Sequence, residues 1–283
     1  MKDRIFNVVL YAVSVLVLLL CGGLIFSLAI NSRDIVSAEG VWGFITSTDW
    51  NPTEGRESYG ALPFIVGTVV TSLLALALCI PLALAVALLA GYYLRGRRAA
   101  TYITTIVDLL AGVPSIVYGL WGFYALRPWI ASLGLNPQGL GIATASLVLA
   151  VMIVPYAASL CREFLLLTPS DLSEGAYSLG ATQRETVMRV IMPTARKGFI
   201  AAFVLALGRA LGETMAVTML IGNTNQMIKG LGDTGNTMAS LIANQFGEAS
   251  GIKLSALFGI AFVLFLVTAA INLIAKAITR YLK

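Results

Sequence analysis

Histidine is absent from this 283-residue chain. Its absence removes histidine-based triads, histidine-ligated metals and imidazole proton relays together. Cysteine is scarce: Cys21, Cys79 and Cys161 each fall inside a different apolar run. An odd number in separate runs argues against a disulfide framework, and all three read as small buried apolar residues. Charge is scarce too, at 12% of residues, about half of what a soluble domain carries. There is no G-x-x-x-x-G-K-[ST] string, so the chain does not hold ATP in the P-loop manner. Any energy source must then come from a partner or an ion gradient. No metal cluster and no nucleic-acid motif offers itself.

What is present is apolar. Hydrophobic residues make up 58% of the chain, and the mean hydropathy is +0.86. A hydrocarbon core of roughly 30 Å needs ~20 helical residues to cross it. Six runs are long enough, at about 6–30, 62–94, 102–125, 140–161, 198–222 and 254–279. The second contains Pro81 and exceeds a minimal span, so a tilt or kink is expected. The expected fold is an all-α membrane protein with six transmembrane helices. Residues 1–60 would supply the first helix and an external loop, and 61–283 a five-helix core with a cytoplasmic loop at 162–197.

Lysine and arginine set the orientation. With the N-terminus inside, thirteen lie at cytoplasmic ends (Lys2, Arg4, Arg95, Arg97, Arg98, Arg162, Arg184, Arg189, Arg196, Lys197, Lys276, Arg280, Lys283) against five outside. That is a positive-inside bias, with both termini cytoplasmic. The acidic loop 31–60, with Asp34, Glu39, Asp49, Glu54 and Glu57, agrees. The net charge of +5 therefore reflects topology and needs no nucleic-acid partner; the basic ends are placed to meet anionic headgroups. The apolar stretch Ile5–Ile30 is about twice a signal peptide's core and lacks a small-x-small cleavage site, so it reads as a span.

Three interruptions stand out. Loop 31–60 has turn chemistry and two tryptophans, Trp42 and Trp50, suited to the headgroup interface. The third run carries Ala111-Gly112-Val113-Pro114-Ser115, a break that a membrane helix tolerates only where neighbours or water satisfy the freed backbone groups. The stretch 223–253 contains semi-apolar Thr237–Phe246, a short helix at the outer face. It also holds Gly230-Leu231-Gly232-Asp233, the G-x-G-D string of some intramembrane aspartyl proteases. Here that string lies outside the membrane and has no Tyr-Asp partner.

Intramembrane charge is the next clue. In the fifth run, Arg209 lies roughly 16 Å along the helix axis from Gly198, near the bilayer midplane. Glu213 follows at i+4, on the same face of a continuous helix. Ala202, Ala206, Gly212 and Ala216 would line a small-residue groove there, and Gly208 with Gly212 forms a G-x-x-x-G. An unpaired charge at that depth costs ~3 kcal/mol on insertion scales. Two readings stay open: a structural ion pair, or a guanidinium offered to a passing oxyanion, whose shape suits the N–H fork. Asp108, just before the break, is either a second polar wall residue or a helix-boundary carboxylate.

The loop between the fourth and fifth runs is built with care. Asp171 can cap a helix whose third residue is Glu174, and Thr182 can do so with Glu185. Gly180 lies between them, where a left-handed residue suits glycine. Pro193 is expected to stop the second helix. A structured loop in so hydrophobic a chain reads as a docking surface.

This segment, Glu174-Gly175-Ala176, Gly180 and Val190-Ile191-Met192-Pro193, resembles the EAA loop of ABC importer permeases: E-A-A, three residues, G, nine residues, I-x-L-P. Gly175, Val190 and Met192 depart mildly from that pattern. Ala111–Gly122, Leu207–Thr218 and Asn236-Thr237-Met238…Ile242-Ala243-Asn244 look like PstC-type permeases of phosphate importers, and the likeness covers roughly 60–280. The resemblance implies a transport subunit rather than an enzyme, with the fold of ABC importer permeases, in a bacterial or archaeal plasma membrane. Implied partners are a PstA-type permease, two cytoplasmic PstB-type ATPases that bind ATP and Mg, and an external PstS-type phosphate-binding protein. It further implies that Arg209 and Glu213, with Asp108, belong to the substrate path. Glu174, Ala176, Gly180 and Pro193 would belong to the coupling helix that inserts into the ATPase. The alternatives are a permease for molybdate, tungstate or sulfate, a proton-coupled secondary transporter using Glu213 or Asp108, and an intramembrane hydrolase. The secondary transporter has no need of an EAA-spaced loop, and the hydrolase lacks a credible nucleophile pair.

Overall fold

Apolar runs with few breakers fold as helices, and the chain is almost wholly helical. The computed structural model describes residues 2–53 and 55–281. Glu54 and Lys283, counted in the charge pattern, lie outside the described residues, as do the side chains of Lys2, Arg4 and Arg280. In chain order come α1 (Lys2–Asn31), α2 (Arg33–Thr46), β1 (Trp50–Asn51), β2 (Ser58–Tyr59), α3 (Leu62–Leu88), α4 (Arg98–Ala111), α5 (Ser115–Trp121), α6 (Arg127–Ser132) and α7 (Ile142–Leu166). Then follow α8 (Ser170–Ser178), α9 (Gln183–Thr186), α10 (Met192–Leu211), α11 (Met215–Leu220), α12 (Met238–Gln245) and α13 (Gly251–Tyr281). Five-residue π turns extend α3 (Leu89–Tyr93), join α5 to α6 (Gly122–Leu126) and join α9 to α10 (Val187–Ile191).

Among the described residues, five stretches are long and apolar enough to cross a membrane singly: Phe6–Asn31, Leu62–Tyr93, Ile142–Leu166, Gln183–Leu211 and Gly251–Ala277. The sixth is a pair, Arg98–Ala111 with Ser115–Ser132, bent by 95° at the Gly112-Val113-Pro114 break. The six expected runs are therefore all present, and the helix runs unbroken through Pro81. The fifth differs from expectation at both ends. It does not stop at Pro193 but runs through it, and its long helix ends at Leu211 rather than 222. The π turn explains the first difference. Met192 N–H reaches back five residues to the Val187 carbonyl, so the donor that Pro193 lacks falls at a seam where none is required. Thr194 Oγ1 donates to the Val190 carbonyl at 2.6 Å.

The core lies around α7, which packs along α3 and α10. Its face is small and β-branched: Ala145, Val148, Leu149, Ile153 and Ala157 meet Ala75, Cys79 and Ala83 of α3 and Ala206 and Ala210 of α10. With little hydrophobic drive between helices in lipid, such small residues gain by close contact. Gly198 shows how close: a Cβ there would overlap the Phe164 ring. A second cluster, with Ala87, Cys161, Leu165, Ile191 and Phe199, packs the same three helices at the end that carries α8 and α9, called the basic end below. Cys79 and Cys161 are buried thiols, whereas Cys21 is exposed on α1.

At the opposite end, α2, the short hairpin, α12 and α13 enclose a third cluster. Trp50, expected at the headgroup interface, is instead buried at 5% exposure. It stacks edge-on to Tyr59 and Phe64 and donates Nε1–H to Gln245 Oε1 at 3.3 Å. The hairpin turns it inward, while Trp42 remains 78% exposed. The expected short helix is α12, capped by Thr237 with Ser240 and anchored by Met238 N–H to Thr68 Oγ1 at 2.9 Å.

Candidate functional site

Two sites emerge, one on the basic end and one where two helices break inside the bundle. On the basic end, α8 closes in a Schellman turn. Ala181 N–H reaches the Ala176 carbonyl at 3.1 Å and Gly180 N–H the Tyr177 carbonyl at 2.9 Å, with Gly180 at φ +84°. That conformation is cheap for glycine alone. The Thr182–Glu185 capping box is formed on both sides, with Thr182 N–H to Glu185 Oε2 at 2.9 Å and Glu185 N–H to Thr182 Oγ1 at 3.3 Å. Asp171 does not cap α8. The helix begins two residues earlier, with Pro169 at its N-cap and Asp171 in the first turn, because proline's fixed φ starts the turn before the carboxylate can.

The turn between the loop helices borders a groove of about 520 Å³, lined by Leu172, Ala176, Leu179 and Gly180 on one side and Glu185 and Arg189 on the other. Leu179 is 90% exposed; Glu174 on α8 and Pro193 at the start of α10 are exposed too, outside the groove's lining. Underneath, the hydroxyls of Tyr177 and Tyr92 share a hydrogen bond of 2.8 Å. This ties α8 to the end of the α3 span. Sequence reading missed Leu179 and Tyr177. Leu179 had one signal, an apolar side chain at a helix C-cap beside glycine, where nothing in its own loop can cover it.

Inside the bundle, α4–α5 and α10–α11 break side by side. At the first break, Tyr118 Oη donates to the Leu110 carbonyl at 2.8 Å, which also accepts Val113 N–H at 3.2 Å, so the helix end is closed across the bend. At the second, Gly212-Glu213-Thr214 separates the helices. Glu213 Oε1 accepts Ala216 N–H at 3.3 Å, capping α11. The two half-helices touch through Gly119, where a Cβ would stand 3.1 Å from Ala216 Cα and 2.8 Å from Met219 Sδ.

The break overturns the expected geometry of Arg209 and Glu213. Arg209 is in the last turn of α10, Glu213 beyond its end, so the i+4 alignment of a continuous helix is lost. No ion pair joins them among the described residues. Arg209 is exposed and its guanidinium lies over the Tyr156 ring, 5.7 Å from the centroid. The expected close approach at Gly208 is not made within this chain, since a Cβ there would meet nothing within 4 Å. Ala202 and Ala206 are buried in the core, so they line no groove. Asp108 accepts Ser159 Oγ–H at 3.0 Å, binding α4 to α7 one turn before the bend. The G-x-G-D aspartate is structural: Asp233 Oδ2 accepts the Lys229 and Gly230 amides, each at 2.8 Å.

Against known proteins, residues 80–283 match the family profile described as binding-protein-dependent transport system inner membrane component. A phosphate transport system permease protein PstC of Xylella fastidiosa is 40% identical over 293 residues, covering 97% of this chain and 89% of the relative. Its counterpart in Mesorhizobium japonicum is 38% identical over 98% of this chain and 89% of its own length. A probable phosphate transport system permease protein PstC of Methanocaldococcus jannaschii is 33% identical over 94% and 88%. Among solved structures, a bacterial alginate ABC transporter in complex with an alginate pentasaccharide-bound periplasmic protein superposes with a TM-score of 0.68 over 99% of this chain and 96% of that one, at 15% identity. An inward-facing MetNI methionine ABC transporter gives 0.62 over 77% and 93%, at 19% identity. At such identities the likeness is one of fold.

Proposed function

The chain belongs to the binding-protein-dependent transport system inner membrane components, and from that premise we propose that it is the PstC-type permease subunit of an ATP-driven phosphate importer. It is a multi-pass transport component of the inner membrane, not an enzyme. The observation that carries the anion path is Arg209. A guanidinium at a helix break inside an apolar bundle, exposed and without an acid beside it among the described residues, is costly in lipid. It is stable only where water, a partner or a passing anion faces it. A tetrahedral phosphate accepts two parallel N–H bonds from such a fork, and Glu213, held by its bond to the Ala216 amide, shapes the wall opposite. Asp108 stands at the neighbouring break.

The open side of Gly208, Arg209 and Gly212 receives a second permease of PstA type, so that the path runs between two chains. The residues 174–193 face the cytosol and dock on one of two PstB-type ATPases, which hold ATP and Mg. Leu179 and the groove beside Gly180 fit a hydrophobic socket, and the Tyr177–Tyr92 bond passes movement to α3. ATP binding and hydrolysis then bias two arrangements of the helices, opening the Arg209 region first toward a PstS-type binding protein outside and then inward. The test is uptake of radiolabelled phosphate by the complex reconstituted with its binding protein. ATP-dependent uptake that excess sulfate or molybdate fails to compete is expected. Uptake of one of those anions in place of phosphate would overturn the substrate.

A further inference from the structure

The turn from α3 to α4 brings Arg95, Arg97 and Arg98 beside Arg162 of α7, around a cavity of about 270 Å³ that Thr101 and Thr104 also line. Positive residues at a membrane rim are ordinary, but this group is organised. Arg162 is threaded past Gly91 in the π turn, its Cγ 3.3 Å from where a Cβ would stand. One terminal nitrogen is tied to Glu163 at 2.9 Å. Its Nε is buried and has no hydrogen-bond partner, an unfavourable state that an acceptor in the cavity would relieve. Arg95, Arg97 and Arg98 form no ion pair among the described residues. The fourteen-residue α4 starts at Arg98 with no side chain capping its first amides, and Ala100 and Thr101 of that first turn line the cavity. Four guanidiniums and the Thr101 hydroxyl line the cavity, and among them Arg162 Nε has no acceptor.

We propose that this cavity binds a phosphate-group anion. Tetrahedral phosphoryl oxygens match several guanidinium forks at once. The group can come from an anionic phospholipid headgroup, since the cavity opens where the α3 span ends, or from free phosphate on that side. A second, very small void shares Thr104 and Arg162 with it and reaches Ser159 and Asp108 among apolar side chains. An occupant would thereby brace the start of α4 against α7. The site is separate from Arg209 and does not depend on the translocation reading.

The test uses the assembled importer in phosphatidylcholine nanodiscs. In one arm phosphatidylglycerol is added and its retention is counted by native mass spectrometry; in the other, inorganic phosphate is titrated calorimetrically without phosphatidylglycerol. The Arg97→Gln/Arg98→Gln variant, with both positions exposed, is compared with wild type and with Arg209→Met. We expect about fivefold weaker binding per arginine, roughly 25-fold for the pair, with phosphatidylglycerol retention unchanged in Arg209→Met. Loss of phosphatidylglycerol retention identifies the lipid source, and loss of phosphate binding the soluble one. If wild type binds neither probe saturably, or an assembled double variant binds both as wild type does, the proposal is overturned. Arg98→Gln alone is measured by the same criterion should the double variant fail to assemble.

Discussion

Arg209 and Glu213 are four residues apart and yet do not answer one another. One ends a helix and the other caps the next, so their roles separate. Replacing Glu213 with Gln should weaken the start of α11 by about 1 kcal/mol while leaving Arg209 as it stands. In a double-mutant cycle with Arg209→Met, read as thermal stability of the assembled complex, the coupling should stay below ~0.5 kcal/mol. A buried pair would give several times that and would show the two side chains meeting in the assembly. Transport should respond differently. Arg209→Lys keeps the charge and loses the planar fork, and uptake should fall roughly tenfold, the effect of ~1.4 kcal/mol. Wild-type uptake with Arg209→Met would remove Arg209 from the anion path. The sequence revealed both charges, but not their separation. Gly212 interrupts nothing in a hydropathy profile, and it ends α10 only because α11 must turn to pack on Gly119.

Among the elements, the loop of residues 170–191 was the most legible, and its readable parts are local. The Thr182–Glu185 box involves residues three apart, and Gly180 is needed where the chain reverses into φ +84°. What escaped depended on competition or on distance. Pro169 took the N-cap that Asp171 seemed suited for, and the π turn before Pro193 depends on how α10 seats against α7. Tyr177 found Tyr92 from 85 residues away. Gly180→Val should destabilise the turn by about 1–2 kcal/mol, the cost of a side chain in that region. Thr182→Ala should cost about 1 kcal/mol. In both variants the membrane spans are untouched, so insertion should match wild type while transport-coupled ATP hydrolysis falls, more steeply for Gly180→Val. Full coupling in reconstituted Gly180→Val would remove the turn from the transmission path.

For the whole molecule, the count of spans came from hydropathy alone, and the bend was visible in Gly112-Val113-Pro114. The mutual packing of the two breaks was not, since no local pattern says which glycine receives which neighbour. Orientation still rests on the lysines and arginines. Single cysteines placed at 42, 174 and 231, in a variant without Cys21, Cys79 and Cys161, should react with an impermeant maleimide in intact cells at 42 and 231 only. Labelling at 174 would invert the arrangement and remove the ATPase contact with it. The span of α1 has none of its most apolar window buried within the chain, and it packs chiefly against α13 and slightly against α2. Its seat therefore does not exist until α13 has been made, more than two hundred residues later. A helix made early is thus among the last to settle, and until α13 arrives α1 waits in lipid beside the rest of the bundle.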